Sequence, residues 1–248
     1  MPSLSSKKVI NPKISIIIAV YNAEEELEQS LISIITQNYK NYELIIVDGG
    51  STDSTLNIIK KYYSNINILI SEPDTGVYDA MNKGVKKSKG DWIFFLGAGD
   101  ILLNVLDSLV ANFISDNTIY YGNVFRNDLL KIYNGKYPSY KLAVTNICHQ
   151  AIFYPAIVFK NSEFNTKYKI QADHDFNMRC FGNKNIKFKY LPFLVSIYQG
   201  GGYSAKNADY NFFSDKLSII KKNFPYHIYI YTTIRTFIAQ KIIKKNHY

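Results

Sequence analysis

Between Lys13 and Ile114 the sequence alternates four times between a continuous apolar run and a segment of helical periodicity. That alternation leaves few folds open. "KISIIIAVYN", "YELIIVDGG", "INILISEPD" and "DWIFFLGAGD" are strongly apolar and end in polar or small residues. Runs of this kind read as strands of a parallel sheet, buried on both faces. Between them, "AEEELEQSLISIITQN" puts Leu27, Leu31, Ile34 and Ile35 on one helical face, with glutamates in the first turn where the helix dipole favours negative charge. "STDSTLNIIKKYY", with Ser51 as its expected N-cap, and "GVYDAMNKGVKKSKG" supply the next two helices, and "NVLDSLVANFI" a fourth. The expectation is an α/β fold with a Rossmann-like, doubly wound, mostly parallel sheet. Ligands of such sheets bind beyond the carboxyl ends of the strands. One crevice should therefore be lined by residues 19–22, 48–51, 72–76 and 97–100.

From about Thr118 the rhythm changes. "TIYYGNVFR" and "AIFYPAIVFK" read as strands of mixed direction, "ADHDFNMRCFG" as one short helix, and "IKFKYLPFLVSIYQ" as a strand region broken by Pro192. No linker rich in Gly, Ser or Pro separates the halves, so the second half is expected to extend the same sheet. Two distant cysteines, Cys148 and Cys180, fit free thiols in a reducing compartment. The N-terminal "MPSLSSKKVINPK" has no apolar core, and no apolar run reaches the roughly 18 residues of a spanning helix. A cytoplasmic protein, or one peripheral on the cytoplasmic face of the inner membrane, is expected.

The familiar phosphate cradles are missing. There is no G-x-G-x-x-G after the first strand and no G-x-x-x-x-G-K-[ST], which argues against a nicotinamide-dependent enzyme and a P-loop hydrolase. Asp48 ends the second strand, where it accepts hydrogen bonds from a base or ribose, or else caps "STDST"; its place on a strand favours binding. The net charge of +9 is spread along the chain rather than gathered in one stripe, and no nucleic-acid-binding motif accompanies it.

"ISIIIAVYNAEEELEQSLISIITQNYKNYELIIVDGGSTDST" resembles the opening of the family-2 glycosyltransferases, and "SEPDTGVYDAMNKGVKKSKGDWIFFLGAGD" continues the likeness without a gap. The resemblance covers roughly residues 13–107. It extends more loosely through "CHQAIFYP", "ADHDFNMR" and "GGGYS", and is to the branch that builds O-antigens and other bacterial surface polysaccharides. It implies the GT-A fold and inverting transfer from a nucleoside-diphosphate sugar. It also implies a division into an N-terminal tail (1–12), a glycosyltransferase domain (13–210) and a basic, aromatic helical extension (211–248). Within the domain, 13–117 would bind the nucleotide sugar and 118–210 the acceptor.

The same resemblance assigns roles. Ala19, Tyr21 and Asn22 fall where the family holds base and ribose, with Glu24 nearby. Asp48 matches the acid that contacts the base, and Gly49 stands where a second Asp is often found. Asp74, Asp79 and Asn82 fall between nucleotide and donor sugar, and Lys83 meets a phosphate or faces water. Inverting transfer needs a general base for the acceptor hydroxyl. Asp173 matches that base, with Ala172 where the family often has Glu. Asp175 lies about 200° round the helix axis from Asp173. Asp175 binds the acceptor or pairs with Arg179, and Arg179 could instead support the sugar or diphosphate. His149 in "CHQ" binds a metal or diphosphate oxygen, or is structural. The family's Asp-x-Asp is reduced in "LGAGD" to Asp100, the expected protein ligand of a divalent cation, Mg²⁺ or Mn²⁺, completed by the donor diphosphate.

Partners follow: a nucleoside-diphosphate sugar, a saccharide acceptor on a lipid diphosphate, and no nucleic acid. In "KKNFPYHIYIYTTIRTFIAQKIIKKNHY", Ile230, Ile234, Ile238 and Ile242 recur every four residues beside Tyr231 and Phe237. That helix lies in a membrane interface or packs on the domain. The altered metal motif also leaves room for a non-catalytic nucleotide-sugar-binding or scaffold protein.

Overall fold

The computed structural model describes residues 11–133, 135–201 and 207–245. The expected N-terminal tail thus lies almost wholly outside the described residues, as do the last three residues of "GGGYS". Four apolar runs form β1 (Ile14–Val20), β2 (Tyr42–Asp48), β3 (Ile68–Ser71) and β4 (Trp92–Gly97). They pair in parallel in the order β3-β2-β1-β4. Helices α1 (Leu27–Ile35), α2 (Thr55–Lys61) and α3 (Val77–Lys87) make the crossovers. The strands are apolar throughout because both faces are covered. Ile14, Ile16 and Ile18 meet α1 in one core cluster, while Ile17 meets α3 in the other. Gly84 lets α3 lie close on the sheet, since a Cβ there would come within 2.7 Å of Ile17.

The second half continues this sheet. Two-residue β5 (Ile101–Leu102) is followed by α4 (Leu106–Val110), β6 (Thr118–Arg126), β7 (Lys131–Tyr133), α5 (Ser139–Val144), β8 (Ile152–Pro155), α6 (Ala172–Gly182) and β9 (Lys187–Tyr198). The full order is β3-β2-β1-β4-β8-β6-β9-β5, with β7 on β6. Of the added pairings only β6 with β9 is parallel. The sheet is therefore mixed in this half, as expected.

Some expectations fail for local reasons. "AIFYPAIVFK" is a strand only as far as Pro155, after which Ala156–Phe159 turns into a 3-10 helix. β9 is not broken at Pro192. It bulges there, three residues opposing Gly122, where a Cβ would lie 2.7 Å from the Phe193 carbonyl oxygen. Ser51 is not the cap of α2, which begins four residues later.

The chain geometry also forces a curl. β4 and β5 are four places apart in the sheet order, roughly 19 Å if the sheet were flat. Only residues 98–100 join them, and four Cα steps reach about 14 Å. The sheet must bend back on itself, and the bend gathers the ends of β4, β8 and β9 around Asp100. Beyond the sheet, α7 (Tyr210–Asn223) packs on α6, and α8 (Tyr226–Lys245) on α5 and α7.

Candidate active site

The crevice is built from the carboxyl ends of β1 to β4. After β1, Ala19 is half-buried, Tyr21 is 61% exposed, and Asn22 adopts a left-handed φ of 47°. Asn22 locks this loop to the one after β2: its N–H donates to Ser51 Oγ (2.8 Å) and its Oδ1 accepts from the Thr52 N–H (2.9 Å). Glu24 extends the same zipper, accepting from the Ser54 N–H at 2.6 Å. Its carboxylate thus serves the entry to α2.

Asp48 is fully buried beneath the crevice floor. Its carboxylate accepts from the Ser51 N–H (3.1 Å) and the Ser71 hydroxyl (2.7 Å), so it shapes the loop over it rather than presenting an open face. Gly49 has a different consequence. A Cβ there would lie 2.4 Å from Asp74 Oδ2, so the missing side chain makes room for Asp74 at the tip of β2. Asp74 also accepts from the Gly76 N–H at 2.8 Å.

Three other residues of this segment have partners within the fold. Asp79 accepts from the Thr75 N–H (3.0 Å) and so caps α3. Asn82 is buried, and its amide makes a two-way bond with the backbone of Phe164 (2.9 and 3.0 Å), which uses it up as a structural pin. Lys83 pairs with Glu72 at 2.9 Å instead of waiting for a phosphate.

Asp100 is 4% exposed, and both its oxygens are engaged. Oδ2 accepts from Gln150 Nε2 (2.8 Å) and Oδ1 from the Gln199 N–H (3.0 Å). Burial raises this carboxyl above its usual range, while these two donors oppose the rise. Each Asp100 oxygen keeps a second lone pair beside these bonds. One carboxylate already facing two N–H donors is a latch between β4, β8 and β9. Among the described residues no group of three or more His, Cys, Asp or Glu is placed to hold a metal. A lone Asp100 would hold a cation only with further ligands from the donor diphosphate.

Asp173 opens α6 and is 6% exposed. Its Oδ1 accepts from the His174 N–H (2.8 Å) and lies 2.9 Å from the Tyr78 hydroxyl, which also lies 2.7 Å from the Ile170 carbonyl. Burial, reinforced by Asp173, pushes the Tyr78 hydroxyl well above the usual phenol range, so it stays protonated and donates. His149 Nδ1 sits 3.3 Å from Asp173 Oδ2. Tyr78 was missed by sequence reasoning. Its only signal is its place in the first turn of α3, two residues from the crevice loop.

Asp175 points the other way. It pairs with Arg179 at 2.9 Å, and burial raises its carboxyl while Arg179 opposes the shift. Arg179 also donates to Ser162 and to the Glu163 carbonyl (2.7 Å), beside an open hollow of about 500 Å³ lined by residues 161–166. Neither residue joins Asp173.

Comparison with known proteins gives the family and the fold. The chain is 39% identical over 212 residues to a PGL/p-HBAD biosynthesis glycosyltransferase of Mycobacterium bovis, covering 81% of this chain and 82% of the relative. It is 38% identical over 109 residues to an uncharacterised glycosyltransferase of Haemophilus influenzae, covering 43% of this chain and 44% of that one. Among solved structures, S. aureus TarS with UDP-GlcNAc superposes with a TM-score of 0.70 at 20% identity, over 85% of this chain and 66% of that one. A mannosyltransferase from Pyrobaculum calidifontis, solved with GDP-Man and Mn²⁺, gives 0.61 at 16%, over 95% and 68%. These neighbours share the GT-A fold. Residues 15–192, from the first strand through the helix of Asp173 into β9, match the model of glycosyl transferase family 2, and the chain belongs to that family.

Proposed function

We propose that this glycosyltransferase moves a sugar from a nucleoside diphosphate to a hydroxyl of a saccharide acceptor, with inversion at the anomeric carbon. The acceptor is carried on a lipid diphosphate, and the product belongs to a bacterial surface polysaccharide or glycolipid. The observation that carries the reading is Asp173. The His174 N–H and the Tyr78 hydroxyl hold its carboxylate at the N-terminus of α6, beside His149, where the general base of an inverting reaction is needed. The donor binds across the ends of β1 to β4, with Tyr21 available to stack on the base and Ala19, Asn22 and Asp74 around the ribose and phosphates. A divalent cation, Mg²⁺ or Mn²⁺, would neutralise the leaving diphosphate, with Asp100 as its one expected protein ligand and the donor supplying the rest.

The relative named for PGL/p-HBAD biosynthesis favours a glycolipid or polysaccharide product. The lipid-linked acceptor agrees with α8, whose outward face carries Ile230, Ile234, Phe237 and Ile238. Such a face, among lysines, suits the headgroup region of an anionic membrane.

The test is a panel of UDP-, GDP- and dTDP-sugars with a lipid-diphosphate-sugar acceptor, with the anomeric configuration of the product read by NMR. Asp173→Asn is expected to lower kcat by roughly 10²–10⁴-fold while still binding donor. Wild-type turnover in that variant refutes the reading. Donor binding without transfer or hydrolysis by the wild type would favour a scaffold protein instead.

A further inference from the structure

We propose that the acceptor hydroxyl gives its proton to His149, so that the base of this site is a His149–Asp173 dyad and not a lone carboxylate; this rests on the transfer reaction proposed above. Asp173 is too well covered to be the outermost group. Its Oδ1 is taken by Tyr78 and the His174 N–H, and its Oδ2 faces His149 Nδ1 at 3.3 Å. The His149 side chain is 22% exposed and that of Asp173 only 8%, so a hydroxyl arriving from the crevice meets the imidazole first.

The pairing also fixes the chemistry of the ring. A carboxylate only accepts, so the nitrogen facing it carries the hydrogen. Nδ1–H then donates to Asp173, and the lone pair is left on Nε2. Nε2 makes no hydrogen bond to a described residue, so none of these competes for that lone pair. The backbone around His149 is held firmly. His149–Ala151 is a 3-10 turn leading into β8, the Gln150 side chain donates to Asp100, and the Gln150 carbonyl accepts from Ser196 Oγ at 2.7 Å. His149 is thus presented at the curled end of the sheet, where the tip of β4 and the start of α6 meet.

In the step, the acceptor O–H proton passes to Nε2 as the acceptor oxygen forms its bond to the anomeric carbon. The bond from that carbon to the β-phosphate oxygen breaks, and its electron pair leaves on the nucleoside diphosphate. The imidazolium is stabilised by the Asp173 carboxylate and releases its proton to water once the products depart. Asp173 is a positioning and charge-stabilising partner here, and His149 is the residue that touches substrate.

The discriminating variant is His149→Asn, whose amide N–H can replace Nδ1–H against Asp173 but cannot act as a base. Transfer is compared in wild type, His149→Asn, His149→Gly and Asp173→Asn, with donor binding measured by calorimetry to show that each is folded. The expected result is a kcat fall of roughly 10²–10⁴-fold in both His149 variants, with donor affinity within about threefold of wild type. Added imidazole should restore turnover to His149→Gly, faster for more basic imidazoles, and should do nothing for Asp173→Asn. Turnover of His149→Asn within about threefold of wild type overturns the dyad and leaves a lone Asp173 base. Failure of imidazole to restore a His149→Gly protein that still binds donor also overturns it. A wild-type protein that transfers no sugar removes the proposed function as well, so the two failures are told apart.

Discussion

Asp173 and Asp100 are both almost fully buried acids at the tip of an element, and their neighbours give them different work. Asp173 has a protonated phenol, a backbone N–H and an imidazole around it. Asp100 instead ties the Gln150 amide and the Gln199 backbone to the end of β4. Asp100→Ala strands both donors, and each buried unsatisfied donor costs about 1–3 kcal/mol. Urea unfolding should therefore show a loss of about 2–4 kcal/mol. Calorimetric titration of Mn²⁺ without nucleotide should show no saturable site in either protein. Unchanged stability together with loss of a metal-dependent activity would make Asp100 a ligand and no latch. The sequence could not separate these roles, because an acid at the tip of an element looks the same whether it faces a crevice or a neighbouring loop, as Asp48 and Asp79 do. Their hydrogen bonds to Ser71 and Thr75 depend on where two loops meet, and spacing along the chain does not record that.

Among the elements, β1 to β4 and α6 were legible because each carries its own signal, an uninterrupted apolar run or an acid-led helix. β5 carries none. Two residues do not make a period, and Ile101 and Leu102 pair with β9 only because the short link from β4 forces the sheet to curl. α8 was ambiguous for a related reason: both of its sides are apolar. Ile228 and Thr232 are buried toward the domain, while Ile230, Ile234, Phe237 and Ile238 are exposed. Packing on the domain and contact with a membrane are therefore compatible in one helix. The double variant Ile234→Glu, Phe237→Glu places charge in the outward face without touching the packed one. Its binding to vesicles containing anionic lipid should weaken about tenfold or more in flotation assays, with turnover on a soluble acceptor unchanged. Wild-type binding should also weaken as salt is raised, because Lys221, Lys222 and Lys241 act over a Debye length of about 10 Å at 0.1 M. Equal vesicle binding by variant and wild type would remove the membrane role of α8.

At the scale of the whole molecule, α6 and α7 are fastened to α5 through a buried His174 and a half-buried Lys216. His174 on α6 lies 2.7 Å from the Leu142 carbonyl of α5, and Lys216 on α7 donates to the Val144 carbonyl at 2.8 Å. Burial, followed by the charge of Lys216, lowers the His174 pKa to about 4. Burial, followed by the charge of Arg235, lowers the Lys216 pKa to about 8. For both groups the unfolded chain takes up a proton at a higher pH than the folded one. The folded state is therefore favoured above the unfolded values of 6.5 and 10.5, and that advantage is lost as pH falls through about 4 for His174 and about 8 for Lys216. Stability should accordingly rise from pH 8 to about 9.5, below the range in which most tyrosines ionise, by at most about 1.4 kcal/mol per pH unit for the single proton involved. Lys216→Met removes that proton and nearly conserves the volume. At pH 7, where wild-type Lys216 is charged in a buried place, the variant should match or exceed wild type by about 1–2 kcal/mol, because it no longer buries a charge. Its urea stability should also stay flat between pH 8 and about 9.5. A variant that loses more than about 2 kcal/mol at pH 7 and keeps the wild-type slope would show that the Val144 hydrogen bond outweighs the burial of the charge, and that the slope belongs to another group.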